Sequence, residues 1–595
     1  MKKKQIYEGI VTDRVDFQDK AKVRVVNAPD EEDNGTIITV KNAIPGQKIE
    51  FRFKKQGKGD LVRILEQSPL ETLQVCPVFG ECGGCTYSSM DYDAQLTMKL
   101  DMVKRLMSNK ASSRQEESGE EAEETAFCID EKAIEGIFAS PLNKGYRNKM
   151  EYSFGDMEKG GELTLGLHRR GSRFDVLNAD ECILVHEDFN TLVGAVREFF
   201  AEKKTPYFHK MEGEGYLRHL VLRRSEATGE ILVNLVTTSA MDEDVETELL
   251  REFTDKIHSL GLRGTIAGII HTVNDSIADV VKDEGTRVLY GKDYITEKIL
   301  GLEFKITPFS FFQTNSKGAE VLYGKAREYA LSGGISKSNE QIREGGGTDS
   351  EGCCKGEEAK PVIFDLYSGT GTIAQIMAPV AKRVIGVEIV EEAVEAAREN
   401  AALNGLDNCE FIAADVLKVL DEIEERPDFI ILDPPRDGVH PKALSKILDY
   451  GVENILYISC KPTSLARDLE VCGEAGYRVD RMCCVDMFPG TGHVETVCLL
   501  SQRKPDTTIE VDLDISELEV SSAETKATYE EIKSYVLKKY GLKVSNLYIA
   551  QVKRECGIVE RINYNLPKTE GNRVPQCPED KRKAIKDAFI HFQMI

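Results

Sequence analysis

A cysteine that follows an apolar strand is the residue best suited to covalent chemistry in this chain. The run Asn454–Ile458 predicts a strand, and Pro462 predicts a turn after Ser459, Cys460 and Lys461. Open α/β sheets bind their ligands at this carboxyl edge. We expect Lys461 to favour the thiolate, because a free thiol with a pKa near 8.5 is only a few per cent ionised at about pH 7. The alternative is a buried structural cysteine, a common role of this residue type.

Three cysteines near the N-terminus have a spacing that indicates a metal site. Cys76, Cys82 and Cys85 form a C-x5-C-x2-C pattern with glycines between them, which let the backbone point amides at sulfur. Cys182 offers a fourth thiol, and four thiolates suit either zinc or an iron–sulfur cluster. Unligated core cysteines are the alternative. The chain shows no export signal, so its fifteen cysteines favour metal ligands and free thiols over a disulfide framework.

A glycine-rich turn between two predicted strands indicates a nucleotide-like ligand. The apolar run Val362–Leu366 leads into Tyr367–Thr372, and the next strand ends at Glu388. Glycines permit close backbone approach to a ligand, and an acid at the next strand end can hold ribose hydroxyls. The turn alone would equally suit a dinucleotide. Asp365 before the turn, the absence of a third glycine and Asp415 at a further strand end favour S-adenosylmethionine.

Two more motifs predict acidic side chains at the same sheet edge. The run Phe429–Leu432 predicts a strand that delivers Asp433 in an Asp-Pro-Pro-Arg sequence, which is typical of methyltransferases that act on bases. Further on, His493 and Glu495 are two residues apart at the start of the last predicted strand. Because side chains alternate along a strand, we expect these two on one side.

The elements that must position these residues predict a multidomain α/β protein. Residues 1–68 alternate apolar and polar positions and predict a small OB-like antiparallel β-barrel, a fold that often binds RNA on one face. Residues 69–300 predict a central α+β domain whose Lys, Arg, Tyr and His clusters suit RNA. Residues 301–503 predict a Rossmann-like methyltransferase domain. Residues 504–595 predict a helical extension, either a helix-turn-helix nucleic-acid module or a plain docking domain.

Composition and charge indicate where the protein is located and which partners it binds. The net charge of −24 argues against a general nucleic-acid binder, although screening over about 8 Å lets local basic patches decide contacts. Residues 112–125 and 333–360 are polar, lack periodicity and predict disordered or flexible insertions. The N-terminus has no signal-peptide pattern and no run is long enough to span a membrane, so we expect a cytoplasmic protein without membrane association. No obligate protein partner is predicted.

Taken together, the motifs resemble the RNA uridine-5-methyltransferase family, most closely its bacterial 23S rRNA members with an iron–sulfur cluster. The resemblance covers roughly residues 5–500 and rests on C-x5-C-x2-C, FFQTN, DLYSGTGT, DPPR, SCKP and HVET in that order. It implies that the first barrel is a TRAM domain, that Cys460 is a nucleophile and that Glu495 is a base. It implies a [4Fe–4S] cluster held by Cys76, Cys82, Cys85 and Cys182. It also implies S-adenosylmethionine contacts by Gln313, Tyr367, Thr372, Glu388 and Asp433.

Uracil chemistry explains why such a family needs a thiol and a base. C5 of uracil is a poor nucleophile, but a thiolate can add at C6 because the C5=C6 bond is conjugated to the C4 carbonyl. The resulting enolate carries electron density at C5, which attacks the sulfonium methyl group. A base must then remove the C5 proton so that the thiol leaves. We therefore predict 5-methyluridine formation in 23S rRNA on a flipped-out base. The alternatives are the same reaction on tRNA, a non-catalytic RNA-binding assembly factor, and a nicotinamide-dependent redox protein.

Overall fold

The computed structural model describes eight ranges of the chain, and they form two compact units. The described residues are 1–72, 75–113, 129–278, 280–335, 360–502, 529–556, 577–592 and 594. The first unit comprises residues 1–504 and the second comprises residues 505–595. The predicted insertions at 112–125 and 333–360 lie almost wholly outside the described ranges.

A closed five-stranded barrel opens the first unit, with the strand order β1-β2-β3-β5-β4. Buried and exposed residues alternate along β1 and β2, because successive side chains of a strand point to opposite faces. The predicted β-barrel is confirmed, and the alternating run at 48–63 contributes to two strands. The five strands are β1 Ile6–Asp16, β2 Lys20–Val26, β3 Ile37–Lys41, β4 Lys48–Phe53 and β5 Lys58–Glu66.

The cysteine-rich segment and one long helix connect the barrel to the rest of the unit. Helix α1 spans Tyr92–Ser113 and is followed, after a range that is not described, by strand β6, Ile134–Phe138. Val103 and Met107 of α1 pack in the same core as the methyltransferase sheet described below. Because Met98 and Met102 of the same helix pack in the core of the barrel, α1 joins the barrel to that sheet.

The central domain is a seven-stranded sheet with the order β13-β12-β11-β10-β7-β8-β9. All its neighbours are antiparallel except β11 and β12. Residues 217–237 form an antiparallel hairpin within this sheet. Helices α2 Glu187–Glu202 and α3 Glu243–His258 bury Phe and Leu side chains in its core. The strands are β7 Lys149–Gly155, β8 Thr164–His168, β9 Val176–Asn178, β10 Leu217–Arg224, β11 Glu230–Thr237, β12 Thr265–Val273 and β13 Thr286–Gly291.

A hairpin and a helix lead into the mostly parallel sheet of the methyltransferase domain. The hairpin consists of β14 Ile295–Ile299 and β15 Leu302–Ile306, and helix α4 spans Ser316–Ala330. The sheet has the order β18-β17-β16-β19-β20-β22-β21-β6. Strands β16, β19 and β20 are buried along their whole length because cores cover both faces of the sheet. The new strands are β16 Val362–Leu366, β17 Arg383–Glu388, β18 Cys409–Ala413, β19 Phe429–Leu432, β20 Asn454–Ser459, β21 Tyr477–Val485 and β22 Glu495–Gln502.

Helices follow the parallel strands, as expected for a doubly wound arrangement. The helix between β17 and β18 spans Glu391–Leu403 and buries Val394, Ala397 and Ala401. Pro462 is the first residue of a helix. It therefore ends the turn after β20 and begins that helix. The helices are α5 Thr372–Met377, α6 Glu391–Leu403, α7 Val416–Val419, α8 Pro441–Asp449 and α9 Pro462–Glu474.

The eighth strand of this sheet comes from an unexpected part of the chain. Strand β6 pairs in parallel with β21, with Met482 opposite Ile134 and Val485 opposite Phe138. Residues 134–138 lie within the range predicted for the central domain, 69–300. In the structure, however, β6 forms the outer edge of the methyltransferase sheet.

The second unit contains three described helices: α10 Tyr529–Tyr540, α11 Asn546–Glu555 and α12 Glu579–His591. They agree with the helical extension predicted for residues 504–595. Gly541, with φ of +65°, follows α10, and Ser545 caps α11 by accepting from the Tyr548 amide. Ile532, Ile549 and Phe589 contribute to a small core of their own.

Candidate active site

Four parallel strands and one antiparallel strand bring the predicted residues to one sheet edge. Strands β17, β16, β19 and β20 are neighbours, so the residues that follow them meet at their common carboxyl edge. Strand β22 begins at this edge because it runs antiparallel to β20. Ser459 and Thr496 form the last pair of that ladder, and one residue further lie Cys460 and Glu495. Opposite positions in an antiparallel pair bring side chains to within about 5 Å at Cβ.

The thiol of Cys460 is half-buried. Burial, together with the nearby charges of Glu495 and Asp433, raises its pKa to about 11. The cation that opposes this effect is Arg436, not Lys461. The Nζ atom of Lys461 lies 3.8 Å from Oδ1 of Asp437 instead. The expectation that Lys461 favours the thiolate is therefore not supported, and sequence reasoning overlooked Arg436 at the end of the DPPR motif.

Three buried or half-buried carboxyl groups share the same region. Burial raises the pKa of Glu495 to about 8, with a further contribution from Asp433, while Arg436 lowers it. Burial also raises the pKa of Asp433 to about 7 and that of Asp365 to about 8. Asp365 accepts the Ala374 amide at 2.9 Å and so ties β16 to α5 across the glycine-rich turn. A cluster of carboxyl groups with raised pKa values at a sheet edge suits proton transfer and a cationic ligand.

His493 does not share the position predicted for it. Strand β22 begins at Glu495, so His493 lies in the preceding loop and is exposed, whereas Glu495 is only 4% exposed. The alternation rule failed because it applies only within a regular strand.

The glycine-rich turn adopts the tight geometry that its sequence predicts. Tyr367, Gly369 and Gly371 all have positive φ, at +68°, +53° and +72°. A Cβ atom at Gly371 would lie 2.5 Å from the ring of Phe411, so only glycine fits there. Thr372 is buried at the start of α5.

Glu388 holds this turn through its carboxylate. Its Oε2 atom accepts the Gly369 amide at 3.0 Å, and its Oε1 atom accepts the amides of Ile389 and Val390 at 2.9 and 3.1 Å. A carboxylate has about four acceptor positions, so one remains on Oε2 for a ligand hydroxyl.

Two other predicted cofactor residues lie close to these groups. Asp415 accepts the Leu417 amide at 2.9 Å as the cap of α7, and its charge helps to raise the pKa of Tyr367. Gln313 hydrogen-bonds Tyr323, a buried tyrosine whose pKa is raised mainly by burial and then by Asp433. Asp415 and Gln313 thus lie near Tyr367 and Asp433, respectively, through these contacts.

The rest of the FFQTN motif is divided between structural and exposed positions. Asn315 is fully buried, caps α4 through the Gly318 amide and donates to Ser140 and to the Met487 carbonyl. It thus serves the fold and not a ligand. Phe311 is 72% exposed, whereas Phe312 packs in the core.

The four predicted metal ligands line one cavity of about 460 Å³, which also contacts Phe311. Cys82 and Cys85 are buried, and Cys76 and Cys182 are half-buried. The Gly84 amide donates to the Cys82 sulfur at 3.3 Å, which confirms that a glycine amide points at sulfur.

These thiols do not converge as tightly as ligands of a single ion. Across the described ranges, no three or more His, Cys, Asp or Glu side chains are placed to hold a metal ion. Zinc requires each thiolate at about 2.3 Å from one centre. In a cluster each thiolate binds its own iron, so the donors stand further apart. The four thiols share one cavity without converging on a single ion.

Comparisons with known proteins agree with this geometry. The tRNA (Uracil-5-)-methyltransferase family profile matches residues 353–503. An uncharacterized RNA methyltransferase of Clostridium tetani is 46% identical over 477 residues, covering 80% of this chain and 94% of its own. The chain belongs to the RNA uracil-5-methyltransferase family. A second relative, an uncharacterized RNA methyltransferase of Caldanaerobacter subterraneus, is 44% identical and covers 79% of this chain and 94% of its own.

A solved structure of an RNA uracil-5-methyltransferase shares much of the fold. Pyrococcus abyssi tRNA (uracil-54, C5)-methyltransferase, in complex with S-adenosyl-L-homocysteine, superposes with a TM-score of 0.58 at 26% identity. The match covers 83% of this chain and 99% of that chain. The predicted enzyme class, an RNA (uracil-5-)-methyltransferase, is confirmed by these relatives. Within the described residues, no helix combines the length and apolar character needed to cross a membrane.

Several basic and aromatic side chains of the central domain that suit RNA binding in the sequence are buried in the structure. Arg218 and Arg223 are each 3% exposed, and both donate to backbone carbonyls of neighbouring loops. Tyr146 is also buried and donates to the Pro489 carbonyl at 2.9 Å. These side chains fix loops and are not available to RNA. Arg173 remains exposed, and Lys149 is half-buried beside the cysteine-lined cavity.

Proposed function

We propose that this enzyme transfers a methyl group from S-adenosylmethionine to C5 of a specific uridine in 23S rRNA, giving 5-methyluridine in the cytoplasm. The observation that carries the proposal is the ladder of β20 and β22, whose last pair, Ser459 and Thr496, is directly followed by Cys460 and directly preceded by Glu495; the charge of Glu495 acts on the Cys460 thiol. A thiol and a carboxyl group opposite one another could act on the two adjacent carbons of one uracil ring.

In this proposal Cys460 is the nucleophile and Glu495 is the general base. The thiolate sulfur adds to C6 of uracil, and the C5=C6 electron pair forms an enolate. Its C5 would take the methyl group from the sulfonium as S-adenosylhomocysteine leaves. Glu495 then takes the C5 proton. The C5–H electron pair restores the C5=C6 double bond, and the C6–S bond breaks to return the thiolate. The ionised form of Glu495 accepts the proton, and with a pKa of about 8 that form is a minor fraction at pH 7 that grows as the pH rises.

Arg436 supplies the positive charge that this mechanism needs before attack. The thiol, with its pKa of about 11, must lose a proton, and Arg436 lowers that pKa. The Ser464 hydroxyl donates to the Arg436 carbonyl at 2.9 Å, which fixes the backbone of this residue.

The methyl donor would be held by the groups around the glycine-rich turn. Glu388 has one acceptor position left for a ribose hydroxyl, and Asp433 offers negative charge to the sulfonium. Gln313, Tyr367, Thr372 and Asp415 complete the proposed cofactor site. S-adenosylmethionine supplies the electrophilic methyl group.

We propose that the four cysteines hold a [4Fe–4S] cluster. Their donor set, their shared cavity and the Gly84 amide on the Cys82 sulfur support this assignment. A cluster in that position would supply structure to the segment that leads from the barrel to α1.

A tRNA substrate is the second candidate, because the Pyrococcus abyssi enzyme of similar fold acts on uracil 54 of tRNA. The TRAM-like barrel and the cluster cysteines favour 23S rRNA. The two substrates share every step of the chemistry and differ only in the RNA that docks.

The test is transfer of labelled methyl from S-adenosylmethionine to undermethylated 23S rRNA and, in parallel, to undermethylated tRNA, followed by nucleoside analysis. We expect 5-methyluridine in 23S rRNA with the wild type and none with Cys460→Ala. Label in tRNA alone would show that tRNA, and not 23S rRNA, is the substrate. No product on either RNA would refute it.

The cluster is tested on protein purified without oxygen, by measuring iron, acid-labile sulfide and zinc. We expect about four irons and four sulfides per chain and their loss in Cys82→Ala. Cys472→Ala is the matched control, since Cys472 is a buried thiol in the methyltransferase core. One zinc without sulfide would contradict the cluster.

A further inference from the structure

The loop that delivers Glu495 is unusually well fixed for a connection between strands. It runs from Asp486 to Val494 and joins β21 to β22. Loops generally lie on the surface and are mobile. Here Asp486, Met487 and Val494 are at most 1% exposed, and Pro489 and Gly490 are also buried.

A buried ion pair holds the first part of this loop. The Nζ atom of Lys99, on α1, lies 2.7 Å from Oδ1 of Asp486, and both side chains are 0% exposed. The same Nζ atom donates to the Phe488 carbonyl at 3.1 Å. The Phe488 amide donates to Asp486 at 3.2 Å. One lysine thus fixes both the side chain and the backbone of the loop.

A second set of contacts holds Gly490. Its carbonyl accepts the amides of Thr86 and Tyr87 at 2.9 and 2.8 Å, and its amide donates to Gln95 at 2.8 Å. Gly490 has φ of +80°, and a Cβ atom there would lie 2.3 Å from the Ser88 hydroxyl. Only glycine fits at this position. The residues that contact it lie on α1 and in the segment just after Cys85.

Stability alone does not explain a buried ion pair in this place. Desolvation of two charges often cancels their attraction, and well-packed apolar residues usually serve stability equally well. What the pair adds is a defined geometry, because its hydrogen bonds allow one loop conformation. That loop ends at the residue proposed as the base.

We propose that Lys99 and Asp486 are positioning residues that hold the Asp486–Val494 loop so that Glu495 faces C5 of the methylated uracil. The inference rests on the proposed function. Addition of Cys460 at C6 and methyl transfer to C5 do not require Glu495, whereas removal of the C5 proton does. Loss of the pair therefore slows only the last step, and the methylated RNA remains bonded through C6 to the sulfur.

The test uses the double variant Lys99→Met/Asp486→Asn in the full-length, cluster-loaded enzyme. This variant removes both charges together and keeps an acceptor for the Phe488 amide, so it avoids an unpaired buried charge. Under single-turnover conditions with labelled S-adenosylmethionine and 23S rRNA, we expect methyl transfer within about threefold of wild type. Release of free methylated RNA should fall at least tenfold, and a labelled protein–RNA adduct should persist in denaturing gels.

Three reference proteins separate the possible outcomes. Glu495→Gln should accumulate the same adduct, and Cys460→Ala should form none. Lys104→Met makes the same chemical change on the same helix and should release product at the wild-type rate. An equal loss in methyl transfer and release without adduct, or wild-type release by the double variant, would overturn the inference. Failure of the wild type to make 5-methyluridine would instead refute the proposed function.

Discussion

Binding of S-adenosylmethionine should release about one proton at pH 7. In the free protein, burial raises the pKa of Asp365 to about 8, of Asp433 to about 7 and of Glu495 to about 8. At pH 7 a group with a pKa of about 8 is about nine-tenths protonated, and one with a pKa of about 7 is half protonated. The three groups together therefore hold about two protons before the cofactor arrives.

The sulfonium charge of the cofactor should displace some of these protons. An opposite charge within about 4–6 Å lowers a carboxyl pKa by about 1 to 3. Applied to Asp433 and to one of its two neighbours, this change releases roughly 0.8 to 1.4 protons at pH 7. The release should vanish above about pH 9.5, because all three groups have then lost their protons in the free protein.

Isothermal titration calorimetry in buffers of different ionisation enthalpy measures this number directly. S-adenosylhomocysteine, which lacks the sulfonium charge, should release fewer protons. Asp433→Asn should remove much of the effect, whereas Asp449→Asn, an exposed carboxyl at the end of α8, should not alter it. A binding enthalpy that is the same in every buffer at pH 7 would show that the carboxyl groups are already ionised, and the reasoning would be wrong.

Three further changes test other parts of the site. Arg436→Ala should raise the pKa of Cys460, so methylation at pH 7 should fall and its pH optimum move upward, while Lys461→Ala has little effect; a pH–rate profile compares the two. Glu388→Gln should weaken cofactor binding by about 1.5–3 kcal/mol, or roughly 10- to 150-fold, through loss of charge-assisted hydrogen bonds, as calorimetry would detect. Unchanged affinity would argue against its ribose contact. Asn315→Ala should cost about 2–4 kcal/mol of stability, seen as a lower melting temperature, with the cofactor affinity retained.

Local patterns explain which parts of the fold could be predicted. Strand β16 is a short apolar run followed by a glycine-rich turn, and strands β10 and β11 flank a turn, so each carries its own signal. Cys460 was predictable as a site residue because the strand before it and Pro462 after it define its position at the edge. All of these signals lie within about ten residues of the element they specify.

Features that depend on distant contacts could not be predicted in this way. Arg223 looks like an RNA contact in the sequence, but it is buried and donates to the carbonyl of Pro308, a residue 85 positions away. Lys461 is next to Cys460 in the chain, yet Arg436 is the cation near the thiol because β19 and β20 are neighbours. Charge and sequence proximity do not reveal which side chains tertiary packing removes from water.

The pairing of β6 with β21 has a consequence for how the protein is made. The two strands are about 350 residues apart, and the whole central sheet is synthesised between them. At about 5–20 residues per second, a ribosome needs roughly 20–70 s to deliver the partner of β6. During that interval the central domain can fold while β6 waits unpaired. A fragment beginning at residue 301 would leave β21 as an open edge, so we expect it to aggregate where the full chain does not.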